Sequence, residues 1–183
     1  TDIISLHGQT VKAIQSYAMS AMLCIIQNVK VRSGLQYICS IIAVKDRKQL
    51  KDKNVACLRY LREIFLCWST EYLSKDLRII ENAIQQGLLD PVQKVRIEAK
   101  ETYAAFYRTF PKEGNKIIDK INDYRMKSAL NSICSKVDEL KYRETEEKNL
   151  HKSKEIEAVS ELPDSFSNIL VLEQKNVRSS AAP

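Results

Sequence analysis

Between Gly87 and Pro111 the chain reads GLLDPVQKVRIEAKETYAAFYRTFP, in which Val95, Ala99, Thr102, Tyr103, Phe106 and Phe110 recur at steps of three and four. That spacing puts them on one face of a helix, and the face must be buried. Gly87 is suited to ending the preceding helix, Asp90 to capping the next and Pro91 to its first turn. Pro111 closes the segment, and a second amphipathic stretch follows with Ile117, Ile118, Ile121 and Tyr124.

The same plan occurs twice upstream. Val11, Ile14, Ala18, Met22 and Ile25 step along one face, widened by Ala21, Cys24 and Ile26, and predict a buried first helix. Lys30, Val31, Arg32 and Ser33, with Gly34 just beyond, interrupt it before a short apolar helix from Leu35 to Val44. After the polar run KDRKQLKDKN, the residues Val55, Leu58, Leu61, Ile64, Phe65 and Trp68 mark a third helix; Ser69 to Ser74 connect it to a fourth through Leu77, Ile80, Ala83, Ile84 and Leu88. The expectation is three helix pairs over about Val11 to Val44, Asp52 to Gly87 and Pro91 to Val137. The second and third begin about 40 residues apart, the period of HEAT-type repeats, in which each pair buries its stripe against the next. An ordinary globular bundle with accidental spacing is the alternative; Asp90 followed by Arg96 argues against it, because HEAT helices often carry an acid before the helix and an arginine inside it that bonds across repeats.

Composition agrees. With Gly 4 and Pro 4 in 183 residues there are few of the turn formers that an all-β fold needs, so the fold class is all-α, a HEAT-repeat solenoid of about three pairs. No apolar run approaches the ~20 residues of a membrane span and no N-terminal signal is legible, so we expect a soluble, intracellular protein. The chain begins with Thr1 and reads as a piece of something longer. Cys24, Cys39, Cys57, Cys67 and Cys134 include no CxxC pair, and in apolar helical runs cysteine behaves as a small hydrophobe.

From Lys141 onward there are 7 basic and 8 acidic residues, which leaves 22 basic against 15 acidic in residues 1–140. The repeat part is therefore the basic part, and a positive surface favours an acidic partner. We expect residues 1–140 to form the repeat domain and 141–183 a charged helical extension with a flexible tail, in which Phe166, Ile169, Leu170, Val171 and Leu172 form a small apolar patch. Enzyme readings have little support: there is no glycine-rich phosphate loop, and His7 and His151 lie near opposite ends of the chain with no HExxH pair and no nucleophile elbow. No catalytic residue, metal ligand or cofactor is expected. A pI ≈ 9.0 would also attract nucleic acid, but interleaved aromatics and a lysine/arginine run are missing.

Three segments together carry a family resemblance: SAMLCIIQNVKVR (Ser20 to Arg32), RYLREIFLCWSTEYLSKDLRIIENAIQQGLLD (Arg59 to Asp90) and VRIEAKETYAAFYRTFP (Val95 to Pro111). In their order, the basic turn, the tryptophan before a basic loop and the Tyr/Phe helix ending in FP, the chain resembles the TOG domains of the CLASP family over roughly Val11 to Ala129. The resemblance implies a paddle of six HEAT repeats, of which this chain would supply the last three, with Thr1 to Gly8 as the end of a third. It also implies a microtubule-associated protein of the cytoplasm and cytoskeleton, on spindle and kinetochore microtubules among others, that binds tubulin through the turns inside each repeat and regulates microtubule dynamics. Transferred residue by residue, the resemblance makes Lys30, Arg32 and Lys75 the tubulin-binding candidates, with Lys112 and Lys116 around Gly114 in the last turn. The alternative is a generic HEAT scaffold for an acidic protein or peptide. Trp68 continues the Leu61 and Phe65 stripe and reads as core, whereas Tyr107 and Arg108 fall off the stripe of their helix and read as exposed.

Overall fold

The apolar stripe from Val95 to Phe106 is where the array closes: Val95, Ala99, Tyr103 and Phe106 are all fully buried. The structure, a computed structural model, describes residues 3–44 and 51–160, the side chains of 148–160 excepted. The run 45–50 and residues 161–183, with the Phe166 to Leu172 patch and the expected tail, lie outside the described residues. A 3-10 turn, Ile3–Gly8, precedes α1 (Lys12–Asn28), α2 (Arg32–Ala43), α3 (Lys51–Cys67), the short α4 (Thr70–Ser74), α5 (Leu77–Leu88), α6 (Gln93–Thr109), α7 (Pro111–Lys120) and α8 (Tyr124–Ser160). No strand occurs among the described residues, and no described helix is long and apolar enough to cross a membrane. The all-α expectation holds, as a HEAT-like helical array.

The first compact unit runs to Asp138. In it α1, α3 and α6 pack side by side as one layer, and α2, α5 and α7 as the other. Their register is visible in paired contacts: Phe65 of α3 meets Phe106 of α6 with ring centroids 5.4 Å apart, and the Thr102 hydroxyl donates to the Leu58 carbonyl at 3.0 Å. Glu98, almost wholly buried on α6, accepts from Arg59 Nε at 2.9 Å, while its other oxygen lies 3.1 Å from Arg62 Nη1. A buried carboxylate held between two guanidinium groups satisfies the rule that buried charge must be paired. Met126, Leu130 and Cys134 of α8 close the far side of the core, where Cys134 Sγ lies 3.3 Å from the Tyr103 hydroxyl. In the second unit, which begins at Glu139, the described helix is charged, with an Arg143–Glu139 pair at 3.5 Å.

Several expectations are corrected. Gly87 does not end α5; it lies inside the last turn, where an added Cβ would come within 3.1 Å of Ala99 Cβ and 3.3 Å of Leu58 Cδ2. Its function is close approach, not a stop. Asp90 and Pro91 precede α6 by a turn, and the Asp90 carboxylate accepts the Val92 N–H at 2.8 Å. Arg96 donates to the carbonyls of Asp90 and Pro91 in its own repeat, not across repeats. Tyr107 is buried, only 6% exposed, because Gly114 on α7 leaves room for its ring: a Cβ there would stand 2.7 Å from Tyr107 Cδ2. Its hydroxyl donates to Asp138 at 3.0 Å, and burial pushes its pKa up to about 12. Tyr124, placed on the amphipathic face, is exposed.

The largest difference is on α1. Of the residues expected on its buried face, Ala18 is buried and Met22 packs partly buried against the core, but Val11, Ile14 and Ile25 are exposed, while Ile26, read as widening the face, is buried. Its apolar residues occupy two faces, and the pair that follows covers only one of them. Of the cysteines, Cys39, Cys57 and Cys134 are buried and behave as small hydrophobes, whereas Cys24 and Cys67 are exposed; none of the five is in a disulfide. Burial pushes the Cys39 thiol up to about 12, so it stays protonated.

His7 of the 3-10 turn is buried with its ring nitrogen against the Tyr60 hydroxyl. Burial, with the Arg59 charge adding to it and Asp52 opposing it, lowers its pKa below 6.5. The unfolded chain therefore binds a proton that the folded one resists. The resulting stability is complete above pH 6.5 and is lost as pH falls through the lowered value. The melting temperature is expected to drop between pH 7.5 and 5.5 in the parent chain, and less so in His7→Gln; equal slopes in the two melting series would assign the acid sensitivity elsewhere.

Candidate functional site

The break between α1 and α2 is short, only Val29 to Val31, and both valines are extended, at φ −132° and ψ 124° for Val29 and φ −115° and ψ 107° for Val31. Branching at Cβ favours that backbone over helix. Asn28 donates to the Cys24 carbonyl at 2.7 Å, satisfying one of the orphan acceptors at the end of α1. Arg32 and Ser33, read as part of the interruption, and Gly34 just beyond it are already inside α2. In the next repeat the connection is longer: Trp68 follows α3 directly, and α4 occupies most of Ser69 to Lys75 before Asp76 leads into α5.

These two turns touch. Trp68, 6% exposed as its place on the core stripe predicts, donates its indole N–H to the Ile26 carbonyl at 2.9 Å, and its ring meets Tyr72 edge-on at 5.4 Å. The Tyr72 hydroxyl in turn reaches the Lys30 carbonyl at 3.4 Å. Arg32, the first residue of α2, grips Asp76 with two bonds, Nε to Oδ2 at 2.6 Å and Nη2 to Oδ1 at 3.0 Å, and Nη2 lies 3.4 Å from the Lys75 carbonyl. Gln36, one turn further along α2, adds a bond to Asp76 Oδ1 at 3.1 Å. The Arg32 hydrogen bond, followed by that of Gln36, holds the Asp76 carboxyl below its usual range against the opposing effect of burial.

Lys30, Arg32 and Lys75 therefore lie on one edge of the array, and Lys30 and Lys75 are exposed there. Since α3 and α6 are in register at Phe65 and Phe106, the turn at Phe110 emerges at this same edge and carries exposed Lys112 in the first turn of α7. Lys116 sits one turn deeper, with its ammonium 3.9 Å from Glu113. The structure gives the candidates different surroundings: Lys30, Lys75 and Lys112 are exposed on turns or a helix start, Lys116 is beside an acid, and Arg32 is bound to a buried carboxylate. Sequence reading missed Asp76, because an acid just before an amphipathic helix reads first as an N-cap; here its side chain makes no capping bond and faces Arg32.

The opposite edge differs in kind. A cleft of about 410 Å³ lies there, lined by His7, Lys12, Ser16, Asp52, Arg59 and Lys94. Lys94 is paired with Asp52 and Arg59 with Glu98, so much of its positive charge is balanced in place. No cluster of metal-ligating side chains occurs among the described residues.

A family model described as CLASP N terminal matches residues 1–131, the span that contains α1 to α7 and the basic edge. The chain belongs to the CLASP N-terminal family. No curated protein sequence matches the chain significantly. The CLASP match ends at residue 131, inside α8 and close to the last core residues, Leu130 and Cys134.

Proposed function

We propose that this chain is a non-catalytic CLASP-type module that binds tubulin through the edge carrying Lys30, Lys75 and Lys112, with Lys116 behind it, and by doing so regulates microtubule growth and stability. Its place would be the cytoplasmic microtubule array, the spindle and kinetochore included. The observation that carries this reading is the direct contact between the first two turns, which gathers cations separated by 45 residues of sequence onto one exposed edge. Family membership suggests microtubules as the surroundings in which such an edge acts. Exposed lysines suit an acidic protein surface because they contribute long-range attraction without deep burial.

The test is size-exclusion or co-sedimentation of the full chain with tubulin, comparing the parent with a Lys30→Glu, Lys75→Glu, Lys112→Glu triple variant. At ~0.5–1 kcal/mol per exposed charge pair, the three reversals are expected to weaken binding by about ten- to a hundredfold. Melting temperature should be nearly unchanged, because surface substitutions typically shift stability by about 0.5 kcal/mol or less. Binding by the parent should also fall between ~0.1 M and ~1 M salt, as the Debye length shrinks from about 10 Å to about 3 Å. Unaltered affinity in a folded triple variant would remove the edge from the mechanism. Failure of the parent to bind tubulin, alongside tight binding of an acidic peptide, would favour a general HEAT scaffold.

A further inference from the structure

Besides the Gln36–Asp76 bond, four side-chain links tie the α1–α2 turn to the α3–α5 connection. They are Arg32 to Asp76, Arg32 to the Lys75 carbonyl, Tyr72 to the Lys30 carbonyl and Trp68 to the Ile26 carbonyl. Three are single bonds to backbone. The fourth is two-pronged and ends on a carboxylate that is almost wholly buried, the Asp76 side chain being 5% exposed against 50% for Arg32. The asymmetry matters. A guanidinium fork on a carboxylate fixes orientation as well as distance, which a single ammonium cannot do. The carboxylate lies in the buried part of this contact, and the half-exposed arginine reaches in to it.

Resting on the tubulin-binding reading above, we infer that Arg32 is a positioning residue and not a tubulin contact: clamped on Asp76, it holds the first turn against the second so that Lys30 and Lys75 meet the partner at one fixed spacing. Its charge is already neutralised within the protein, so its value to the edge is geometric. The lysines on either side do the meeting. Gln36 strengthens the clamp by holding the same Asp76 oxygen from α2, and the Arg32 bond to the Lys75 carbonyl fixes the backbone of the residue whose side chain is presented.

This assignment separates from a simple charge effect by sign. If attraction by positive charge were all that mattered, Asp76→Ala would tighten tubulin binding, since it removes an acid from the edge and leaves Arg32 uncommitted; Arg32→Lys would leave binding unchanged. With the clamp, both weaken it, by roughly tenfold, the scale of a lost charge-assisted bond pair. The experiment measures tubulin affinity of the parent, Arg32→Lys, Asp76→Ala and Lys30→Glu/Lys75→Glu, together with amide hydrogen exchange of each free protein. Faster exchange confined to residues 28–32 and 70–76 in Arg32→Lys and Asp76→Ala, with weaker tubulin binding by both, is the expected result. Exchange at the parent rate in Arg32→Lys, or tighter binding by Asp76→Ala, overturns the positioning role. If the lysine reversals matter and Arg32→Lys matches the parent, the role falls while tubulin binding stands. If neither the parent nor any variant binds tubulin, the function is wrong, and the exchange rates still decide whether the clamp exists. Arg32→Lys keeps charge and helix propensity, so the test does not depend on Asp76→Ala folding.

Discussion

Phe106→Ala is expected to destabilise the chain by about 3–5 kcal/mol, the range for removing a large buried aromatic. Phe106 is fully buried on α6 and meets Phe65 of α3 at 5.4 Å and Phe110 at 5.6 Å. It thus joins two helix pairs and also anchors the turn into α7. In a solenoid the interface between neighbouring repeats is the main source of stability for each of them, so the loss cannot be confined to one pair. Against a total of ~5–15 kcal/mol this is a large fraction, and at about 2–4 °C per kcal/mol the melting temperature should fall by on the order of 10 °C. Trp68 is the chain's one tryptophan, so denaturant unfolding followed by its fluorescence reports on the α1–α3 contact directly. A loss below about 1 kcal/mol would mean that the α3–α6 seam is not packed as described.

Trp68→Ala should cost a similar ~3–5 kcal/mol, and its consequence differs. The indole fills the space beneath the first turn, bonds the last turn of α1 and supports Tyr72, which bonds Lys30. Removing it undermines the edge as well as the core. Trp68→Phe keeps most of the apolar volume and leaves the Ile26 carbonyl without the indole donor, at a cost of about 1–3 kcal/mol. Circular-dichroism melts of both variants give the stability scale. Tubulin binding, measured well below each variant's melting temperature, is expected to weaken more in Trp68→Ala than in Trp68→Phe. Equal binding by a folded Trp68→Ala protein would show that the edge keeps its shape without this support.

Periodicity alone determined the helices and the buried stripe on α6, because Val95, Ala99, Tyr103 and Phe106 fall at one helical spacing with polar residues opposite, and only one burial choice is open to such a helix. It also placed Trp68 in the core and Lys30, Arg32 and Lys75 at breaks between helices. Where a helix is apolar on two faces, pattern gives no preference: α1 buries Ala18 and Ile26 and exposes Ile14 and Ile25, a choice set by which neighbour stacks on it. Tyr107 was legible only in part, since the space it occupies is vacated by Gly114 on another helix. The same holds for Arg32. Its residue type and position in a turn are local facts, and they suggest a free cation; the carboxylate that takes up its charge lies 44 residues away and reaches it only because α2 and α5 start at the same edge of the array. Local sequence set the charge and the turn. Packing of one repeat on the next decided which charges stay exposed and which one is paired across repeats, because pairing energy depends on distance in space, and distances between repeats exist only once the layers have stacked.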